Sequence, residues 1–499
     1  MRFKTQEQIS EKELKIGLRS VVADGVMSHL MGVLTGGVFL VAIAVKLGAS
    51  NFQIGLIAAI PALMQFVQIP AIFLIEKIRS RKTVAIYSAL IGRFGFLLIA
   101  LSPFLFVPSV GLAVLIVAVL FSSGFGGIGG CAWNSWMRDL VPENQMGTFF
   151  SERLRVATFL GVFVSILASM FLDFWKRSFP DVEIYAYSGL FAVAFLIGIV
   201  GVIFLSRTPE PAMQSEKADF LKLLTQPFKD INFRRLMFFL GSWSFAVNLA
   251  APFFTVYMLT KLGLGMSMIV FLSIVSQVFN FTFLSLWGKW ADRFSNKSVL
   301  AVSGPLFMFS ILAWTFTTMP EKYFLTLPIL VVIHIVMGIA TAGIAIASGN
   351  IGLKLAPKGQ ATAYLATNTL VNSFAAGIAP ILGGKFADFF AARNLSLVFK
   401  WSSPGRELIF QALNFQHWDF FFALAFLVGL YSLHRLTMVK EEGVIDDEAV
   451  RAEFIDAIKR PIRSLSSGAG LFQIASYPYS FISRGVKFIG KVTGGGDKE

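Results

Sequence analysis

The chain has 499 residues, 56% of them apolar and only 14% charged, with a mean hydropathy of +0.71. Soluble globular chains carry about 25% charged residues, so a water-soluble fold is excluded, as are collagen, coiled-coil, disordered and disulfide-rich scaffolds. The formal charge of +14 has to be read by position before it is read as a partner.

A membrane-crossing helix needs roughly 20 mostly apolar residues, and twelve such runs occur in chain order, at 18–45, 52–75, 84–104, 109–137, 153–173, 185–206, 235–260, 266–288, 298–318, 324–352, 362–386 and 415–437. The expected fold class is therefore an all-α polytopic membrane protein with 12 transmembrane helices. Residues 1–17 form a mixed-charge N-terminal tail. The apolar run behind them is far longer than a signal-peptide core and lacks a small-residue cleavage site, so the first helix is expected to be retained. Most connections are short. The exceptions are a charged linker at 207–234, a loop at 387–414, and a tail at 438–499. With the N-terminus in the cytoplasm, 33 of the 43 Lys and Arg fall on or near the cytoplasmic side, 9 on or near the outside, and one, Arg93, deep within a span. This positive-inside bias predicts an integral protein of the cell (inner or plasma) membrane with both termini cytoplasmic. Topology and attraction to anionic membrane lipids account for the basic excess, without nucleic acid.

Phe contributes 53 residues and Gly 43, which suits helices that face lipid on one side and approach one another closely on the other. In helix one Asp24 shares a face with Ser28, Met31 and Thr35. That face either lines a cavity, where Asp24 binds a coupling proton or cation, or holds a structural ion pair with Arg138, Arg153 or Arg155. His29 stands about 140° around the helix from Asp24, so one face cannot present both. Arg93 in helix three meets an anionic solute, snorkels, or pairs within the bundle. Helix four carries Gly126, Gly127 and Gly130, then Trp133, Asn134 and Trp136; the glycines read as packing and Asn134 as cavity lining. Polar stripes follow at helical spacing: Ser244 and Asn248 in helix seven, Ser273, Gln277 and Asn280 in helix eight, and Tyr364, Asn368 and Asn372 in helix eleven. Amides both donate to and accept from a polar solute, and they also bind helices together. His334 in helix ten reads either as a hydrogen-bonded packing residue or as a proton relay. In the tail, 445–465 suits an amphipathic helix and 471–492 an interfacial segment on an anionic leaflet; an unstructured tail is the alternative.

The chain also repeats itself. Lys46-Leu47-Gly48 matches Lys261-Leu262-Gly263 at a shift of 215, and Glu76-Lys77 with Arg81 matches Asp292-Arg293 with Lys297 at 216. Val141-Pro142-Glu143-Asn144-Gln145 matches Ala356-Pro357-Lys358-Gly359-Gln360 at 215. Three loop anchors at nearly one spacing divide the chain into two parallel six-helix bundles, 18–206 and 235–437. The stretch Gly288-Lys-Trp-Ala-Asp292-Arg293-Phe-Ser-Asn-Lys297 matches the loop signature G-x-x-x-D-R-x-x-x-K/R, and in this the chain resembles the major facilitator superfamily. The first-half copy departs from the pattern, with Ile72 in the glycine position and Glu76-Lys77 replacing Asp-Arg. The stretch from Arg138 and Asp139 to Arg155 is similar to the superfamily's loop between helices four and five. The resemblance implies two bundles around a central cavity open to one side at a time, with Gly288, Asp292, Arg293, Lys297, Glu76 and Arg81 as a cytoplasmic gate. A Gly377-Ile-Ala-Pro380-Ile-Leu-Gly383-Gly384 stretch on helix eleven is similar to one that drug/proton antiporters carry on helix five; helix five here lacks it.

The expected function is secondary transport of a small polar or amphiphilic organic solute by alternating access, coupled to protons or another cation. A non-transporting sensor or assembly factor on the same fold is the alternative, and a polytopic membrane enzyme a more distant one. The sequence supplies no phosphate-binding loop of the G-x-x-x-x-G-K-S/T type and no H-E-x-x-H, and its four histidines are scattered. The expectation is thus no catalytic residue, metal ligand or cofactor. The single Cys131 permits neither an intramolecular disulfide nor a thiolate cluster and leaves the redox compartment open.

Overall fold

A computed structural model describes residues 5–213, 225–318, 322–357, 361–403 and 406–441. Twelve helices among these are long and apolar enough to cross a membrane: α1 (Glu11–Lys46), α2 (Asn51–Ile78), α3 (Arg81–Leu105), α4 (Pro108–Leu140), α5 (Glu143–Ser178), α6 (Pro180–Ser206), α7 (Ile231–Thr260), α8 (Met266–Arg293), α9 (Asn296–Thr317), α10 (Thr326–Leu355), α11 (Ala363–Phe390) and α12 (Trp418–Thr437). Most outrun the apolar segments predicted for them. Helices continue into polar ends wherever a cap satisfies the first free N–H groups. Ser10 with Glu13 and Ser50 with Gln53 form capping boxes on α1 and α2, Ser80 caps α3, Asp230 caps α7, and Ser295 caps α9. Helix α1 is interrupted at Gly36, which is extended, and resumes at Gly37, which has φ +50°.

The segment expected as a loop at 387–414 holds an antiparallel hairpin, β1 (Asn394–Ser403) with β2 (Arg406–Gln416) and a register shift between Leu397 and Val398. Alternation of Leu395, Leu397, Phe399 and Trp401 with Asn394, Ser396, Lys400 and Ser402, broken by the apolar Val398, is the strand signal there. The two tail segments lie outside the described residues, as do residues 214–224 of the linker.

The helix pairs repeat between the halves. In the first, α1 packs on α5 and α6, and α4 on α2 and α3; in the second, α7 packs on α11 and α12, and α10 on α8 and α9. We call the end carrying the N-terminus and the 207–234 linker proximal and the opposite end distal. Between the halves α2 meets α11, α5 meets α8, and the Gly37–Lys46 part of α1 meets α7. The α2–α11 seam is built on glycine. A Cβ on Gly55 would stand 2.0 Å from the Pro380 carbonyl oxygen, one on Gly384 2.4 Å from that of Asn51, and one on Gly377 2.4 Å from Leu63. All of these residues belong to the distal half of the pair. The proximal part of α2, Gln68–Ile78, packs instead on α3 and α4 of its own bundle.

Candidate functional site

The face of α1 that bears Asp24 is turned into its own bundle, towards α3 and α6. Asp24 is 4% exposed. It accepts from Ser28 Oγ at 3.2 Å and lies 3.7 Å from the Arg93 guanidinium of α3. Arg93 also donates to Ser28 Oγ at 3.0 Å and to the Gly198 carbonyl of α6. Thr35 donates to the Met31 carbonyl at 2.9 Å. Of the three arginines weighed as partners of Asp24, Arg153 comes near. Its guanidinium lies over the Trp133 ring at 4.8 Å, its Nε donates to the Val21 carbonyl at 3.3 Å, and a Cβ on Gly25 would stand 2.0 Å from it. Only glycine leaves room for Arg153 beside Asp24. One buried carboxylate thus stands among two guanidiniums.

The other face of α1 meets the second half. His29, Gly32 and Gly36 line a cavity of about 240 Å³ together with Ser165 of α5 and Ser273 and Gln277 of α8. His29 therefore lines the space between the bundles, while Asp24, Ser28 and Thr35 lie behind it. His334 does not join the cavity. It is buried, Nδ1 lies 2.7 Å from the Leu330 carbonyl oxygen, and its ring packs 5.6 Å from Trp314.

Helices α7 and α11 bring a second polar group together. Asn248 donates to the Ser244 carbonyl at 2.8 Å, and Ser244 donates to the Asn372 carbonyl at 3.2 Å. The side-chain oxygens of Asn368 and Asn372 are buried and have no hydrogen-bond partner among the described residues. Tyr364, on the same stripe, packs edge-on against Phe233. Asn280 ties α8 to α10 by donating to Thr341 Oγ1 at 2.9 Å. Asn134 and Asn350, in the proximal parts of α4 and α10, are exposed.

The six gate residues split. Glu76, Asp292 and Arg293 are exposed, and Gly288 lies near Ile346 of α10. Lys297 is committed to its own half, where Nζ donates to the Thr437 and Val439 carbonyls at 3.1 and 2.8 Å. Arg81, 1% exposed, pairs with Asp139 and donates to the Ser135 and Pro211 carbonyls at 3.1 and 2.9 Å.

Two acidic residues that sequence reasoning missed organise these proximal ends. Glu210 accepts from Ser80 Oγ at 2.8 Å and from the Arg81 N–H. Glu441 accepts from the N–H groups of Asn296 and Lys297 at 3.3 and 2.8 Å and from Lys354 Nζ at 3.0 Å. Burial raises the Glu441 carboxyl, but these donors outweigh it and hold the group below its ordinary value. Each carboxylate closes the N-terminus of the third helix of its half. The available signal was positional: both stand four residues after the last helix of their half, at Ser206 and Thr437.

A family model described as Major Facilitator Superfamily matches residues 25–380, and again 245–433. A protein named "Uncharacterized MFS-type transporter YxiO", from Bacillus subtilis (strain 168), is 23% identical over 300 residues, 56% of this chain and 65% of that relative. The match thus spans just under two thirds of the relative. Among solved structures, the nucleoside transporter NupG superposes with a TM-score of 0.61 at 15% identity, covering 85% of this chain and 98% of that one. A bacterial homologue of the iron transporter ferroportin in an inward-facing state gives 0.60 at 12%, covering 86% and 99%. A D-xylose-proton symporter gives 0.57 at 15%, covering 87% and 98%. At these identities the likeness is one of fold.

Proposed function

The chain belongs to the major facilitator superfamily, and on that premise we propose that it is a secondary transporter moving a small, uncharged polar or amphiphilic organic solute by alternating access. The observation that carries this reading is the cavity between the halves. Its lining offers a histidine, hydroxyls and an amide, from His29, Ser165, Ser273 and Gln277, and no carboxylate among the described residues. Such a wall recognises a neutral solute by hydrogen bonds while aliphatic neighbours hold its apolar part. With both termini cytoplasmic in the inner or plasma membrane, the distal seam is the outer gate, closed in this conformation.

We assign coupling to a proton or another cation to Asp24. A charge change there is felt at once by Arg93, which reaches α6 through Gly198, so occupancy of Asp24 alters how three helices are held. The test is uptake into proteoliposomes with an imposed pH gradient. Asp24→Asn is expected to abolish accumulation against a gradient while leaving solute exchange partly intact; undiminished accumulation would remove the coupling role. Leaving one partner of a buried pair alone costs about 3–5 kcal/mol, so the double variant Asp24→Asn with Arg93→Gln separates loss of coupling from loss of fold. Gln277→Ala is expected to weaken solute affinity by about tenfold, the worth of roughly one hydrogen bond.

A further inference from the structure

Alternating access requires something that holds the distal end shut, and two aspartates outside the cavity are placed to do so. Asp388 of α11 accepts from the backbone N–H groups of Asn51 and Phe52 at 3.2 and 3.0 Å and from the Asn51 side chain at 2.8 Å. Asp173 of α5 accepts from the backbone N–H groups of Met266 and Ser267, both at 2.8 Å. Each contact crosses from one half to the other, in opposite directions. Asp173 and Asp388 are 215 residues apart, and so are Asn51 and Met266, and Phe52 and Ser267. This is the interval of the repeated Lys-Leu-Gly turns. The turn glycines, Gly48 and Gly263, have φ +80° and +59°, a conformation glycine adopts without strain. They aim the next helix, α2 or α8, so that its N-terminus faces the opposite bundle. A helix N-terminus carries free N–H groups and a partial positive charge, and a carboxylate satisfies both.

We propose that Asp173 and Asp388 form a paired distal clasp whose simultaneous release is the opening step, and that this clasp sets the resting preference for the proximally open state. The proposal rests on the alternating-access reading above. The two arms are unequal. Helix α2 keeps its own cap from Ser50, whereas α8 starts at Gly265 with no side-chain cap of its own. A Cβ on Gly265 would stand 3.1 Å from the Asp173 carboxylate, so glycine is what lets Asp173 approach. Asp173 is therefore the sole side-chain cap of that helix among the described residues, and its loss weighs more than that of Asp388.

The experiment measures distances between spin labels on the full chain in lipid nanodiscs, with Cys131→Ala as background. One pair, Val107→Cys with Phe324→Cys, spans the distal end; another, Lys77→Cys with Lys289→Cys, spans the proximal end. Asp173→Ala is expected to lower the closed-to-open ratio at the distal end by about tenfold, and Asp388→Ala by less. The double variant is expected to lengthen the distal distance and shorten the proximal one. Asp→Asn, which keeps one acceptor oxygen, is expected to fall between and serves as the readout if an alanine variant fails to fold. Unchanged distances in folded variants would overturn the clasp. Because no solute is needed, altered distances without transport would uphold the clasp and count against the transporter, whereas transport with unaltered distances would overturn the clasp alone.

Discussion

At the scale of single residues, the buried charges have been given different tasks by their neighbours. Asp24 is held among guanidiniums inside a bundle, whereas Glu441 sits at a helix start among N–H donors. The consequence for Glu441 is measurable. Its carboxyl titrates below the ordinary value of 4.5, so the stability it contributes is present above about pH 4.5 and is lost as the pH falls through the depressed folded-state value. Glu441→Gln is expected to cost about 1–2 kcal/mol at pH 7, read as a lower Tm, and the gap from the parent should narrow as the pH falls below 4.5. A gap that persisted at low pH would mean that packing, not charge, is what the glutamate supplies. Sequence alone placed Asp24 and Arg93 among the residues needing a partner, because a charge within an apolar span is costly. It did not pair them, since they lie 69 positions apart and the choice among several arginines depends on how α1 is rotated.

Among elements, the α2–α11 seam decides which end of the molecule is shut. Its close approach depends on Gly55, Gly377 and Gly384, whose missing side chains face backbone or a leucine across the seam. The Gly377-to-Gly384 stretch, singled out by its motif, is thus an interbundle surface along its distal length. Gly384→Val is expected to weaken the distal closure by about 1–3 kcal/mol, the ordinary cost of overpacking. The check is maleimide labelling of a cysteine at Phe52: reactivity should rise in the valine variant, and unchanged reactivity would mean the seam relaxes without opening. The hairpin β1–β2 was within reach of its period-two pattern, but a two-stranded ribbon at a helix connection is easily taken for a loop, because its apolar residues Phe399 and Trp401 remain exposed.

For the whole molecule, the two halves use the same positions for the same purposes. Glu210 and Glu441 close the proximal helix starts within each half, and Asp173 and Asp388 bridge the halves distally. We propose that the gate motif acts when the proximal ends meet; Asp292 and Arg293 are exposed here. Asp292→Asn should therefore enlarge the proximally open population, seen as a longer mean distance between labels at Lys77 and Lys289; an unaltered distribution would reduce the motif to a marker of topology.

The twelve spans, the duplication at 215 residues and the superfamily resemblance were all legible in the linear order of residues. Membrane insertion is a property of each segment of about 20 residues taken alone, and repeated loop signatures survive as short local strings. Contacts between helices were not legible in that way. In a soluble protein an apolar stripe marks the buried face, but here lipid-facing and core-facing sides are both apolar, so periodicity does not orient the helices. Which face of α1 carries His29 to the cavity and Asp24 to Arg93, which aspartate reaches which helix start, and which end of the bundles is closed were decided only when twelve helices packed against one another.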